Sequence, residues 1–300
     1  YDISGKGFSF DVHSHYNYFF PRLTIPNVKI RFGLENSVTT KIQIVYAQNH
    51  TGGQRSVRYG ACFVDIDMSS VTKILHLLHQ VQNDNLYLAS PFPDTAKLWK
   101  FFFESGFIYP NKYHQLSQKK DDIKSLYTKL YSGSPYILKH FTYQMDSEIL
   151  AHISMIRVFN KTWLIHHHAA DSINTSMSGI KILSQISHYV NDVHHFKDAN
   201  MEKVMCFYRP NNKFPSKVFG GIAKFLNDNK KCSIDSFCYL LSTKYINEKD
   251  YIQDYIIEEA FDDDLDDFYH VYSNSSNGLL TSSFNRSEER RVGKECVSEC

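Results

Sequence analysis

The sequence is short of the features that assign a chain to a special class at once. It has almost no net charge, +1 from 33 basic and 32 acidic residues. That excludes a global field drawing it to nucleic acid or to an anionic membrane. No uninterrupted apolar run approaches the ~18 residues a membrane-spanning helix needs. No basic stretch followed by an apolar one opens the chain, so no secretory signal is expected and the expected location is the cytoplasm. Cysteine is sparse. Cys62, Cys206, Cys232, Cys238, Cys296 and Cys300 are scattered without a C-x-x-C pair. This argues for reduced, buried thiols rather than a disulfide framework or a zinc site.

What is present is a globular composition: 42% hydrophobic and 22% charged, with 20 Tyr and 22 Phe among 300 residues. The length suits two domains or one large one. The chain opens at Tyr1 inside a motif-like string, which reads as lost upstream sequence. Residues 286–300, RSEERRVGKECVSEC, are charged and aperiodic. They are expected to be a non-native tail outside the fold.

Period-two alternation marks the first strands: Phe8 to Val12, then Val28, Ile30 and Phe32, then Ile42, Ile44 and Tyr46. After a turn signal at Asn49 to Gly53, Val57, Tyr59, Ala61 and Phe63 resume it, so two runs make a long hairpin. Hydroxyls at Ser69 and Ser70 are placed to cap a helix with Val71, Ile74, Leu75, Leu77, Leu78 and Val81 on one face. Short antiparallel strands closed by one helix suggest a small β-barrel over residues 1–82. Residues 83–94, with Pro91 and Pro93, read as a linker. The region 95–250 changes character. Helices are expected at 96–106 and 122–131, strands at 136–144, 149–159 and 163–170, and a helix at 179–190. A strand at 203–208, a helix at 215–226 and a strand at 236–241 complete it. This order describes an α/β mixed-sheet domain. An acidic segment, 251–285, carries a dense run from Glu258 to Asp267 that reads as a solvated face, with a cation site as the other reading.

Asp2-x-Ser4-x-x-Gly7 is the most informative string near the start. A carboxylate can accept from guanine N–H groups, a hydroxyl can donate to phosphate, and glycine lets backbone approach. An ordinary turn is the other reading. Together with Tyr59 to Ile66 and the helix through Leu75 to Leu78, the string resembles the PilZ family of cyclic di-GMP receptors. The resemblance spans about the first quarter of the chain. It implies an incomplete six-stranded β-barrel binding cyclic di-GMP through Asp2, Ser4 and Gly7. The family's R-x-x-x-R element lies upstream of this string. Arg55 and Arg58 do not reproduce it, so binding by this chain is expected to be weak or absent.

The element order of the second region, with Phe207 to Asn212 leading into a helix, is similar to that of GNAT acetyltransferases. The resemblance implies an acyl-CoA pyrophosphate on N–H groups at a helix N-terminus following the strand 163–170. The candidate residues are Ser176, Ser178 and Gly179, with the family's R/Q-x-x-G-x-G/A loop degenerate here. His166, His167 and His168 end that strand. Alternation predicts His166 and His168 on one face and His167 on the other. A histidine there can take a proton from an amine nucleophile, and Tyr208 can protonate a leaving thiolate. Hydrogen-bonded strand-end histidines are the structural reading of the same residues. His152 and His140 are the further histidines within reach of a metal, yet no ligand spacing supports one and none is expected. Three functions stay open at this point: a cyclic di-GMP signalling receptor, an acyl-CoA-dependent N-acyltransferase acting on an amine acceptor, and a two-domain adaptor without catalysis.

Overall fold

The computed structural model describes residues 2–16, 18–32, 36–49, 56–82, 84–88, 94–108, 110–134, 136–171, 177–237 and 261–284. They fall into two compact units, Tyr1–Cys206 and Phe207–Cys300.

The first unit begins with β1 (Asp2–Ser4), β2 (Gly7–His13), β3 (Thr24–Phe32), β4 (Asn36–Asn49) and β5 (Ser56–Asp65). All neighbours are antiparallel, in the order β1-β2-β5-β4-β3. The β4–β5 hairpin joins the two alternating runs recognised in the sequence. Ile42, Ile44, Val57, Tyr59 and Ala61 are buried on one side. Phe10 stacks on Tyr59 at 5.5 Å, and Phe19 meets the same ring edge-on at 5.4 Å. Among the described residues the expected barrel is not formed. Closure requires the two edge strands to pair, and here β1, three residues long, and β3 lie at opposite edges of an open sheet.

α1 (Met68–Gln82) follows. Its first turn is held by Asp67, whose carboxylate accepts from the Ser70 N–H at 3.0 Å and from the Ser70 hydroxyl at 2.5 Å. Burial alone would raise this carboxyl; the hydrogen bonds from Ser70 and Ser69 outweigh it and lower it. Next come β6 (Leu86–Leu88), α2 (Thr95–Glu104), α3 (Tyr113–Gln118), α4 (Lys120–Tyr131), β7 (Leu138–Met145), β8 (Glu148–Phe159), β9 (Thr162–Ala170), α5 (Ser178–Val193) and β10 (Lys203–Cys206). The stretch read as a linker thus contributes β6, an edge strand on β7; residues 89–93 lie outside the described ones. The second sheet runs β10-β9-β8-β7-β6. It is antiparallel except for the β9–β10 pair, which is parallel. This is the mixed α/β sheet expected.

Both faces of this sheet are covered, which is why β7 and β8 are buried along most of their length, with Lys139, His140, Thr142, His152 and Ser154 among the buried side chains. On one face Leu98, Phe101 and Phe102 of α2 and Tyr131 of α4 pack on Leu138, Ile149 and Ala169. On the other, α1 and α5 contribute Met68, Val71, Ile74, Leu75, Ile182, Ile186, Tyr189 and Val193. These cover Phe141, Tyr143, Ala151, Ile153, Met155 and Trp163.

In the second unit, α6 (Lys213–Leu226), α7 (Asp262–Ser275) and α8 (Leu280–Ser283) are described. Asp235 accepts from the Tyr272 hydroxyl at 2.8 Å and from Ser276. The same Tyr272 oxygen accepts from Leu280 N at 3.1 Å, a polar knot fixing the chain after α7. The described part of the acidic run, from residue 262, is the start of α7, where Asp264 accepts from Phe261 N at 2.7 Å. Residues 236 and 237 are not in a strand, and the rest of the strand expected there lies outside the described residues.

Candidate active site

The site is organised by one irregularity. β8 and β9 pair Ser154 with His167 and Met155 with Ile165, so His166 is an extra residue on β9. A bulge of this kind breaks alternation locally and re-aims side chains. The rings of His166 and His167 consequently stack on the same face, 3.7 Å apart and 23° from parallel. His168 turns to the α5 face, where Nε2 lies 3.3 Å from the Gly179 carbonyl oxygen. This corrects the alternation expected from the sequence: His166 belongs with His167, not with His168.

His167 is buried among aromatic rings. Phe102 and Phe107 meet it edge-on at 5.1 and 5.0 Å. The Tyr127 and Tyr131 hydroxyls stand 3.4 Å from Nε2 and 3.5 Å from Nδ1. His152 is fully buried beside it, 6.3 Å between ring centroids, and neither ring nitrogen has a hydrogen-bond partner among the described residues. His140, 6.3 Å beyond His152, completes the row. Burial disfavours the charged form of each ring. It pushes His140 down to about 4, aided by Lys139, and His167 down to about 3, aided by His166. His152 lies well below its ordinary value, by burial and then by repulsion from His167. Tyr127 and Tyr131 are pushed up by burial. At neutral pH the cluster is an uncharged, proton-poor wall.

His166 is the exposed member. Its Nδ1 is 3.1 Å from Ser154 Oγ, which fixes the ring and leaves Nε2 as the nitrogen for an incoming group. Partial burial lowers its pKa, so it is a neutral base at pH 7. His168 is lowered by burial, against the opposing effect of its Gly179 contact.

β9 outruns its parallel neighbour. The pairing with β10 ends at Ile165 opposite Cys206, while β9 continues to Ala170. Beyond it α5 starts at Ser178, and Met177 supplies no side-chain cap. Ser178 is buried, with Oγ 3.5 Å from the Asp171 carbonyl. Gly179 has a packing reason: a Cβ there would sit 3.1 Å from the Ala170 Cβ. Ser176 lies outside the described residues. Ser178, Gly179 and the end of β9 are therefore adjacent, joined to the histidines through His168. Tyr208 belongs to the second unit, where its ring is 6.3 Å from Phe219.

Asp2, Ser4 and Gly7 are together on the β1–β2 hairpin and are engaged there. Ser4 Oγ donates to the Gly7 carbonyl at 3.2 Å and accepts from Lys6 N at 3.3 Å. Asp2 accepts from Ser9 Oγ at 3.3 Å and faces Arg58 at 3.6 Å. A Cβ on Gly7 would overlap the Ala61 carbonyl, so glycine lets β2 lie against β5. Sequence reasoning missed Ser154, Tyr127 and Tyr131 as partners of the histidines. The signals for the site were the His166–His168 run and the helix start at Ser178 and Gly179. Among the described residues no group of three or more His, Cys, Asp or Glu side chains is arranged to hold a metal. No described helix is long and apolar enough to cross a membrane.

No family model matches the chain, and no curated protein matches it. Among solved structures, it is similar to an aminoglycoside acetyltransferase from an uncultured soil metagenomic sample, at 10% identity and TM-score 0.35, over 54% of this chain and 99% of that one. A ribosomal-protein-alanine N-acetyltransferase from Brucella melitensis biovar Abortus 2308 gives 7%, 0.35, 53% and 98%. A glucosamine-6-phosphate N-acetyltransferase from Arabidopsis thaliana gives 13%, 0.28, 54% and 99%. These neighbours are acetyltransferases, not cyclic di-GMP receptors. At these identities and scores the functional reading rests on the geometry of the site.

Proposed function

We propose that the second sheet of the first unit carries an acyl-CoA-dependent N-acyltransferase site, with an amine as acceptor. The observation that carries the reading is the end of the β9–β10 pairing at Ile165, with β9 continuing through the His166 bulge to the start of α5. An extended ligand bearing amides can continue the β10 rail along β9. Its phosphates would then meet the N–H groups and positive end of a 16-residue helix. A pantetheine arm with a pyrophosphate has both features. His166 takes the proton from the amine through Nε2 as nitrogen attacks the thioester carbonyl, with Ser154 holding the ring. The C–S bond then breaks, the thiolate leaves and an amide is formed. The wall of neutral His167, Tyr127 and Phe102 behind His166 keeps it deprotonated.

Calorimetric titration of the chain with acetyl-CoA, followed by amine acetylation assays, tests this. Saturable binding is expected, with His166→Ala keeping the affinity and losing roughly 10²–10⁴-fold in turnover. Absence of binding at millimolar acetyl-CoA rejects the reading.

A further inference from the structure

The outer face of the first sheet carries a chemistry that the acyl-transfer site does not use. Val38, Thr40, Ile42 and Ile44 of β4 are buried on one side. Period two turns Thr39, Lys41 and Gln43 to the other. The register sets Lys29 opposite Thr39, Arg31 opposite Ser37 and Thr24 opposite Gln43. Lys29 and Arg31 of β3 therefore stand on the same outer face as Lys41, about 7 Å apart along their strand. Arg22 adjoins this face where the chain enters β3. Its N–H donates to the Ile44 carbonyl at 2.7 Å, and its own carbonyl accepts from Gln43 Nε2 at 3.4 Å.

Arg22, Lys29, Arg31 and Lys41 are all exposed. Among the described residues none of their charged groups makes an ion pair or a hydrogen bond. Asp65 stands opposite Lys41 in the β4–β5 register. Asp2 and Asp11 lie on β1 and β2, two strands and more from β3, and are taken up by Arg58, which donates to Asp11 at 3.0 and 3.1 Å. The row on β3 and β4 is thus cationic although the whole chain is close to neutral. Such a row complements a polyanion, which gives up its condensed counterions on binding.

An aromatic ring lies at the end of the row. Tyr46 is opposite Gly60 across the β4–β5 pair. A Cβ on Gly60 would sit 2.1 Å from the Tyr46 ring, so the ring rests on β5 in the place a side chain would take. Its other side is open, with Tyr46 44% exposed. Tyr16, Tyr18 and Phe20, in the loop that leads to Arg22, are exposed as well. A ring seated on backbone with one face free is a platform for a stacked base. Because it lies down on the sheet instead of projecting beyond the cations, a base fits it better than a lipid surface does.

We propose that the outer face of the first sheet binds single-stranded nucleic acid, with Lys29, Arg31 and Lys41 on its phosphates and Tyr46 under a base. The surface does not depend on the acyl-CoA reading.

The test is fluorescence anisotropy of a labelled oligothymidylate of about 15 nucleotides, titrated with the full chain at neutral pH. Saturable binding is expected, with a Kd of about 1–100 µM at ~150 mM salt. Three phosphate contacts give a log–log salt slope of about −2, a ~20-fold loss between ~50 and ~200 mM salt. Lys29→Gln, Arg31→Gln and Lys41→Gln together alter only exposed, unpaired side chains. They should keep the circular dichroism spectrum and remove most of the slope. Tyr46→Leu keeps the seat over Gly60 filled and should weaken binding at least ~5-fold with the slope unchanged. No saturable binding at ~100 µM chain and ~50 mM salt overturns the proposal. So does equally tight binding to a duplex of the same length, or a slope that the glutamine variant keeps. Binding to phosphatidylserine vesicles without binding to the oligonucleotide also overturns it and assigns the face to a lipid surface.

Discussion

Acidification should unfold this protein steeply, and the row His140, His152 and His167 sets how steeply. Each folded pKa is depressed below the ordinary histidine value near 6.5. The native state therefore stays neutral while the unfolded chain takes up protons. Stability is fully present above about pH 6.5 and is lost as pH falls toward the folded values, at up to about 1.4 kcal/mol per pH unit for each ring. Between pH 7 and pH 5 that is about 2 kcal/mol per histidine and about 6 kcal/mol for the three. A domain typically has only about 5–15 kcal/mol in total. His152→Phe isolates one ring. It keeps the edge-on contacts with Phe102 and Tyr131, both at 5.6 Å. It also removes two buried nitrogens without hydrogen bonds. At pH 7 the variant should match or exceed the parent, since unsatisfied buried polar groups cost about 1–3 kcal/mol and the larger ring offsets part of the gain. At pH 5 it should retain about 2 kcal/mol more. Urea titrations at pH 7, 6 and 5, read by circular dichroism, measure this. A parent losing under about 2 kcal/mol in total between pH 7 and pH 5, or a variant with the parent's slope, refutes the idea of a buried neutral row.

Four further outcomes are expected. Lys139→Met should raise stability at pH 7, because the folded amine near 7 is depressed from 10.5. The gain should shrink as pH rises toward 10.5, where the unfolded lysine also becomes neutral, and chemical denaturation across pH 7 to 10 reads it. Phe102→Ala removes a fully buried ring that touches His152, His167, Phe107 and Tyr127, and should cost about 3–5 kcal/mol in the same assay. Gly7→Ala places a methyl on the Ala61 carbonyl and should destabilise the first sheet by more than ~1 kcal/mol, read from its thermal midpoint. In an acetylation assay, the rate with His166 intact should fall as the pH drops through the lowered pKa of that ring.

Much of the architecture can be read from residue patterns, because alternation and helical periodicity follow directly from which face is buried. The runs at Ile42 to Tyr46 and Val57 to Phe63 do pair as β4 and β5, and the helices near 71, 183 and 218 are α1, α5 and α6. Closure of the first sheet was not legible. It depends on whether β1 and β3 meet, a long-range event that alternation within either strand does not encode. The His166 bulge was hidden for a related reason. An extra residue on one strand is defined only against its partner, and Ser154 and Met155 lie more than ten positions away. β6 was concealed by the prolines that follow it, since three residues are too few to show a period. Lys139 could have been found: alternation from Leu138 to Tyr143 puts a lysine on the face of Phe141 and Tyr143, a buried cation with no partner nearby in the sequence. For the candidate site, the histidine run pointed to the right strand end, while the aromatic wall came from α2 and α4, elements whose sequences carry only the signature of packing.

Amide hydrogen exchange with and without acetyl-CoA probes the central claim most directly. Added cofactor should slow exchange along His166 to Ala170 and in the first turn of α5, and leave the Asp2–Gly7 hairpin unchanged. Protection confined to that hairpin, or no protection along the end of β9, would contradict the account.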